Sequence, residues 1–211
     1  MKFLSFSKDG NSSFGALVEG GVVDLGARHG GLRDLRDAIR AERLGELIAE
    51  ANDTAADYSL DDITFLPTIP NPEKIICIGV NYANRNAEYK DGSEPPKYPS
   101  VFMRTRETLV GHEQDILDPP ESDQLDYEGE IVIVIGKEGR RISEVDAMGY
   151  VAGYACYNDG SVRDWQKHTH QFMPGKTFAG TGGFGPWMTT ADEIEDHTKM
   201  RLQTRLNGET V

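Results

Sequence analysis

The chain has 211 residues, 38% of them hydrophobic, enough for one large domain or for a small domain followed by a larger one. Its formal net charge of −13 excludes nucleic acid and anionic membrane as natural partners, because both would repel such a surface. No stretch is apolar over a membrane-spanning length and Met1–Phe6 is too short for a secretory signal, so a cytoplasmic protein is expected.

In chain order, residues 1–70 read as a small leading unit. Short strands are expected around Phe3–Phe6, Phe14–Val18 and Gly21–Asp24, separated by Gly-containing turns. Leu32, Leu35, Ile39, Leu44, Leu47 and Ile48 then approximate a 3.6-residue stripe, which predicts one or two amphipathic helices. Pro67-Thr68-Ile69-Pro70-Asn71-Pro72 is too rich in proline to continue either element and places a domain boundary there, with residues 71–211 as the second unit. Within that unit Lys74–Gly79 reads as a strand, Asn84–Lys90 as a short helix, and Asp91–Lys97 as a surface loop or a lid. The two cysteines, Cys77 and Cys156, sit in apolar contexts and are expected to be buried, reduced thiols.

The densest chemical signal comes next. Glu128 and Glu130 stand at the entrance to five consecutive β-branched residues, Ile131–Ile135, which read as a strand covered on both faces. Period-2 geometry places both glutamates on one face, where close carboxylates are tolerated only with a proton, a cationic side chain or a metal ion between them. A third acid, Asp159, follows the buried strand expected at Val151–Tyr157, with a short helix expected before it at Glu144–Tyr150. Three carboxylates without a Cys or His cluster suit a hard divalent cation, Mg²⁺ first and Mn²⁺ or Ca²⁺ next. The bland alternative is a solvated strand end. His168 and His170 form a His-x-His pair with no third nitrogen or sulfur ligand nearby, so a polar loop is the better account. Gly180–Gly185 lacks the ending of a phosphate-binding loop and is read as turn geometry.

The blocks Ile78-Gly79-Val80-Asn81-Tyr82, Asp126-Tyr127-Glu128-Gly129-Glu130, Asn158-Asp159-Gly160-Ser161-Val162-Arg163-Asp164, Gly175-Lys176-Thr177-Phe178 and Gly185-Pro186-Trp187 together resemble, in this order, the fumarylacetoacetate hydrolase family. The similarity is to its 2-hydroxyhepta-2,4-diene-1,7-dioate isomerase and acylpyruvate hydrolase-like branch. It implies an α+β, mainly β fold, a mixed β-sandwich roll preceded by a small α/β N-terminal domain, usually in a homodimer. It further implies a Mg²⁺ or Mn²⁺ site at Glu128, Glu130 and Asp159, substrate contacts at Arg163 and Gln166, and a catalytic role for Lys176. Substrates of such enzymes are small 2-oxo or 1,3-dioxo acids of aromatic catabolism, whose neighbouring oxygens chelate a metal acting as Lewis acid. Arg163 offers a fork to a carboxylate, and Lys176 can donate to a developing oxyanion.

Two departures qualify that implication. The resemblance implies Asn-Tyr-x-x-His-x-x-Glu on a lid helix, but the sequence reads Asn81-Tyr82-Ala83-Asn84-Arg85-Asn86-Ala87-Glu88. Arg85 stays protonated and makes a poor general base; with Glu88 at i, i+3 it forms a charged clamp for an anionic substrate instead. Glu88 or Lys176 is then the proton carrier, with His112 a more remote substitute. The chain also stops at Leu206–Val211 in what reads as mid-strand, short of the Gly-rich closing segment that the resemblance implies. Hydrolysis of a C–C bond is the leading expectation. Isomerisation, tautomerisation or decarboxylation of a 2-oxo dicarboxylate of the 2-hydroxymuconate or oxaloacetate kind is the alternative, and so is a metal-binding relative that has lost catalysis.

Overall fold

The computed structural model describes residues 1–81 and 97–211. The helix expected at Asn84–Lys90, with Arg85 and Glu88 on it, lies outside the described residues, as does the Asp91–Lys97 loop apart from Lys97.

The leading strands form as their alternation requires. β1 (Lys2–Lys8) and β2 (Asn11–Val18) pair antiparallel in a hairpin whose two-residue turn, Asp9-Gly10, has positive φ at both positions, 50° and 81°. That is the mirror-image turn whose twist matches the strands, and Asp-Gly supplies it at little steric cost. β3 (Gly21–Asp24) adds to β2, and the chain turns into helix α1 (Leu25–Arg28), where the Asp24 side chain accepts the Ala27 N–H at 2.9 Å. Helices α2 (Leu35–Arg40) and α3 (Leu44–Asn52) account for the predicted stripe; Leu35, Ala38 and Ile39 of one and Leu47 and Ala51 of the other are buried at i, i+3, i+4 spacing.

These helices cover a sheet that continues past residues 67–72. β4 (Thr64–Phe65) pairs with one end of β1, and the other end pairs with β13 (Met188–Thr190). β13 and β12 (Gly182–Phe184) line up on successive stretches of the long strand β10 (Val151–Asp159), and β9 (Gly129–Ile135) also pairs with β10. The short β7 (Leu109–Val110) pairs parallel to β12, so the nine-stranded sheet is mixed. One apolar core joins Phe3, Phe14, Leu35 and Leu47 to Met188, Val134, Ala155 and Phe184, and so runs from the first unit into the second. β5 (Ile75–Gly79) and β6 (Ser100–Arg104) form a separate antiparallel pair. This is the mainly β, mixed-sheet architecture that the resemblance implies.

Three expectations need correction. The β-branched run is not covered on both faces: Val134 is buried, but Ile133 and Ile135 are 54% and 60% exposed, and β9 pairs with β10 alone. The cysteines are both free, but Cys156 is exposed and Cys77 half-buried, since alternation along β10 turns Cys156 outward beside buried Ala155. The segment read as mid-strand at Leu206–Val211 belongs to a small hairpin, β14 (Arg205–Leu206) and β15 (Glu209–Thr210), joined by Asn207-Gly208 at φ 51° and 86°. Among the described residues no helix is long and apolar enough to cross a membrane.

Candidate active site

The β9–β10 ladder brings the carboxylates together. Glu130 stands opposite Tyr157, Gly129 opposite Asn158, and the Asp159 N–H donates to the Glu128 carbonyl at 2.8 Å, which extends the antiparallel match by one residue. With side chains alternating by two, Glu128, Glu130, Tyr157 and Asp159 share one face of this pair. The Asn158 side-chain oxygen accepts the Glu128 N–H at 3.0 Å and fixes the backbone where β9 begins.

Cationic side chains meet that face. Lys176 is 1% exposed, and its ammonium donates to Glu128 Oε2 and to Asp159 Oδ2, each at 2.7 Å. It is therefore no plain turn lysine. A short 3₁₀ turn, Met173–Gly175, delivers it against the helix Arg163–Gln166. A Cβ on Gly175 would lie 2.4 Å from the Gln166 nitrogen and 2.5 Å from the Val162 oxygen, so only glycine permits this approach. Arg163 and Gln166, at i, i+3, face the same way, with Arg163 Nη1 donating to Gln166 Oε1 at 3.0 Å. Arg163 also donates from Nε to Asp126 Oδ2 at 2.8 Å and from Nη1 to Glu128 Oε1. Its partner is not the neighbouring Asp164, which instead accepts the Ser122 hydroxyl at 2.7 Å, a bond that holds the Asp164 carboxyl below its usual range.

A second layer was not found by sequence reasoning. Arg104, at the end of β6, has a fully buried side chain and donates to Asp159 Oδ1, to the Gly160 carbonyl at 2.9 Å and to Thr181 Oγ1 at 2.8 Å. Its guanidinium carbon lies 5.8 Å from the centre of the Tyr157 ring. Phe102, two residues earlier on the same face of β6, places its ring centre 5.1 Å from the Lys176 ammonium. Cys77, opposite Phe102, is pushed up to about 12, first by burial and then by the negative charge of Asp159, with Glu130 adding to it, so its thiol stays neutral. Burial likewise pushes the Tyr157 phenol up. The available signal was the alternation of Ser100–Arg104, an arginine in phase with Phe102 at the end of an apolar strand.

Other sequence candidates fall elsewhere. Arg85 and Glu88 lie outside the described residues. His112 packs edge-on against Phe65, with ring centres 5.1 Å apart, and the ring centre of His168 lies 5.0 Å from that of Trp165. As arranged, Lys176 stands where Glu128 and Asp159 converge, and among the described residues no group of three or more His, Cys, Asp or Glu side chains is close enough to hold a metal ion. The donor chemistry nonetheless fits one. Glu128, Glu130 and Asp159 offer only oxygen from one face, as a hard divalent cation prefers, and the positive charge that Lys176 places between two of them marks where a cation is favoured.

Residues 74–211 match the family described as Fumarylacetoacetate (FAA) hydrolase C-terminal. The chain is 36% identical over 200 residues to the oxaloacetate tautomerase Fahd2a, mitochondrial, of Rattus norvegicus, covering 92% of this chain and 63% of the relative. It is 39% identical over 173 residues to the oxaloacetate tautomerase YisK of Bacillus subtilis, covering 80% of this chain and 58% of that protein. It thus spans roughly three-fifths of the length of these curated relatives. Among solved structures, the maleylpyruvate hydrolase from Sphingobium sp. SYK-6 in complex with manganese(II) ion and pyruvate superimposes with a TM-score of 0.71 at 25% identity, over 93% of this chain and 69% of that one. The family match, the shared fold and the ordered motifs agree, and the chain belongs to the fumarylacetoacetate hydrolase family of enzymes.

Proposed function

We propose that this protein catalyses keto–enol tautomerisation of a small 2-oxo dicarboxylate of the oxaloacetate kind, with a divalent cation at Glu128, Glu130 and Asp159. The observation that carries the reading is the buried Lys176 ammonium bridging Glu128 Oε2 and Asp159 Oδ2 at 2.7 Å each, a proton donor fixed beside the carboxylates. When bound, the cation, Mg²⁺ or Mn²⁺, would polarise the substrate carbonyl and stabilise enolate charge. The protein's own groups supply the rest. Two of the three Lys176 N–H donors go to Glu128 and Asp159, and the remaining one is assigned to the substrate oxygen: as the enol forms, Lys176 Nζ gives that oxygen a proton and the amine so left takes the proton lost by the neighbouring carbon, and both transfers reverse as the ketone returns. Arg163, held from behind by Asp126, presents its fork to a substrate carboxylate, and Gln166 sets its orientation.

Tautomerisation is favoured over C–C hydrolysis by position 85. Hydrolysis needs an activated water, and Arg85 replaces the histidine that the resemblance implies for that task. Tautomerisation only moves a proton between carbon and oxygen. Two curated relatives that carry the name oxaloacetate tautomerase support the same choice. The homodimer that the resemblance implies belongs to this proposal, and the exposed Ile76, Ile78, Val101 and Met103 on the outer face of the β5–β6 pair would be covered in it. Light scattering coupled to gel filtration tests that part.

The test of the reaction is to follow the ultraviolet absorbance of enol-oxaloacetate on mixing with enzyme and Mg²⁺ or Mn²⁺, and separately to follow cleavage of acylpyruvates. Metal-dependent acceleration of enol decay that is lost in Glu128→Gln and Lys176→Met is expected. Acylpyruvate cleavage without any effect on the tautomers would restore the hydrolase reading.

A further inference from the structure

Arg104 is a buried cation to which the proposed reaction gives no task. Its side chain is fully buried, and Nε, Nη1 and Nη2 each donate to a protein acceptor. Its N–H donors fan out from one plane and reach four acceptors on three segments: Asp159 Oδ1, the Gly160 carbonyl at 2.9 Å, Thr181 Oγ1 at 2.8 Å and, from Nε, Thr108 Oγ1 at 3.3 Å. The space around it is closed. A Cβ on Gly182 would lie 3.1 Å from Arg104 Nη2 and 2.2 Å from the Tyr157 hydroxyl. The Tyr157 ring lies beside the guanidinium on the same face as Asp159.

The consequence is an asymmetric carboxylate. Asp159 Oδ1 is bound to a group that cannot turn away, whereas Oδ2 is bound at 2.7 Å to Lys176, a single ammonium on a flexible stem. Glu128 differs, because its two oxygens go to Arg163 and Lys176, both of which serve the substrate in the proposed reaction. We propose that Arg104 is the positioning residue of Asp159: it locks Oδ1 and so presents Oδ2 alone, in one fixed direction, to the cation and to Lys176. The inference rests on the metal-dependent reading of the site. A lysine at position 104 would keep the charge but could not hold Asp159, Gly160 and Thr181 together from one plane, which accounts for an arginine here.

The experiment compares wild type, Arg104→Lys and Arg104→Met for Mn²⁺ binding, followed by loss of the free-ion electron paramagnetic resonance signal, at a temperature where circular dichroism finds each protein folded. Mn²⁺ affinity is expected to fall about 10- to 100-fold in Arg104→Met, the usual effect of removing a group that orients a metal ligand. Arg104→Lys is expected to recover part of that loss, which a merely structural role would not require of two equally folded proteins. If Arg104→Met does not fold, Arg104→Lys decides alone, and an affinity about tenfold below wild type, the lower end of such effects, is then expected. A folded variant that binds Mn²⁺ as wild type does would overturn the role of Arg104 while leaving the metal site standing. Wild type that binds no Mn²⁺ would instead overturn the metal reading, and this inference with it.

Discussion

Two regions of one sheet use burial in opposite ways. Around β1–β3 the sheet is covered by α2 and α3, and the core between them is apolar, with Phe3, Phe14, Val23, Leu35 and Leu47; the one acid buried there, Asp24, lies at the end of β3 and caps α1. Around β9, β10 and β12 the same sheet buries Arg104, Asp159 and Lys176, held by a chain of hydrogen bonds. The first arrangement yields stability from apolar area. The second is a poor way to gain stability, because desolvating ions costs about as much as their pairing returns. The proposed reaction is what gives the charges of the second region a use.

The contrast predicts that substitutions separate into those that abolish turnover and those that lower stability. The largest effect is expected for Lys176→Met, which should reduce the tautomerisation rate about 10²- to 10⁴-fold, the range for a general acid or base, in a protein whose far-ultraviolet spectrum is unchanged; steady-state kinetics read it. Next comes Phe14→Ala in the apolar region, expected to lose about 3–5 kcal/mol of unfolding free energy in urea titrations, with the rate per folded molecule intact. A Phe14→Ala protein that folds fully but turns over slowly would blur the two regions.

Gly182→Ala lies on the boundary between the two behaviours. Its new methyl would meet the Tyr157 hydroxyl and Arg104, and overpacking there is expected to lower stability by about 1–3 kcal/mol and activity with it. The smallest effect belongs to the Arg28–Asp57 pair beside α1, where Arg28 donates to both Asp57 oxygens at 2.7 and 2.9 Å and holds that carboxyl below its ordinary range. Because the folded value is depressed, the contribution is fully present above the ordinary aspartate value and is lost as pH falls through the depressed one. Asp57→Asn should therefore lower the melting temperature at neutral pH by the equivalent of about 1 kcal/mol or less, with the gap to wild type closing in acid.

How far this was legible in the sequence follows the same division. Local rules sufficed for β1–β3, for the α2–α3 stripe and for the glutamates ahead of the β9 run, since alternation and periodicity are properties of short segments. They failed where a property depends on distant partners. Ile133 and Ile135 are exposed on a strand that pairs with β10 alone, and a five-residue apolar run cannot announce how many neighbours it will have. Cys156 was read as buried from its apolar neighbours, although alternation along β10 turns it outward. The ordered motifs brought Glu128, Asp159, Arg163, Gln166 and Lys176 forward. Arg104 has no motif of its own; only its contacts with Asp159, Gly160 and Thr181, which are 55, 56 and 77 residues away, show what it does.

The most direct test of the account is proton exchange at the carbon next to the keto group of oxaloacetate, followed by nuclear magnetic resonance in D₂O with Mg²⁺, on wild type and Lys176→Met. The account predicts rapid, metal-dependent deuterium uptake by wild type without C–C cleavage, and uptake at the enzyme-free rate in the variant. Cleavage products without deuterium exchange, or equal exchange by both proteins, would contradict it.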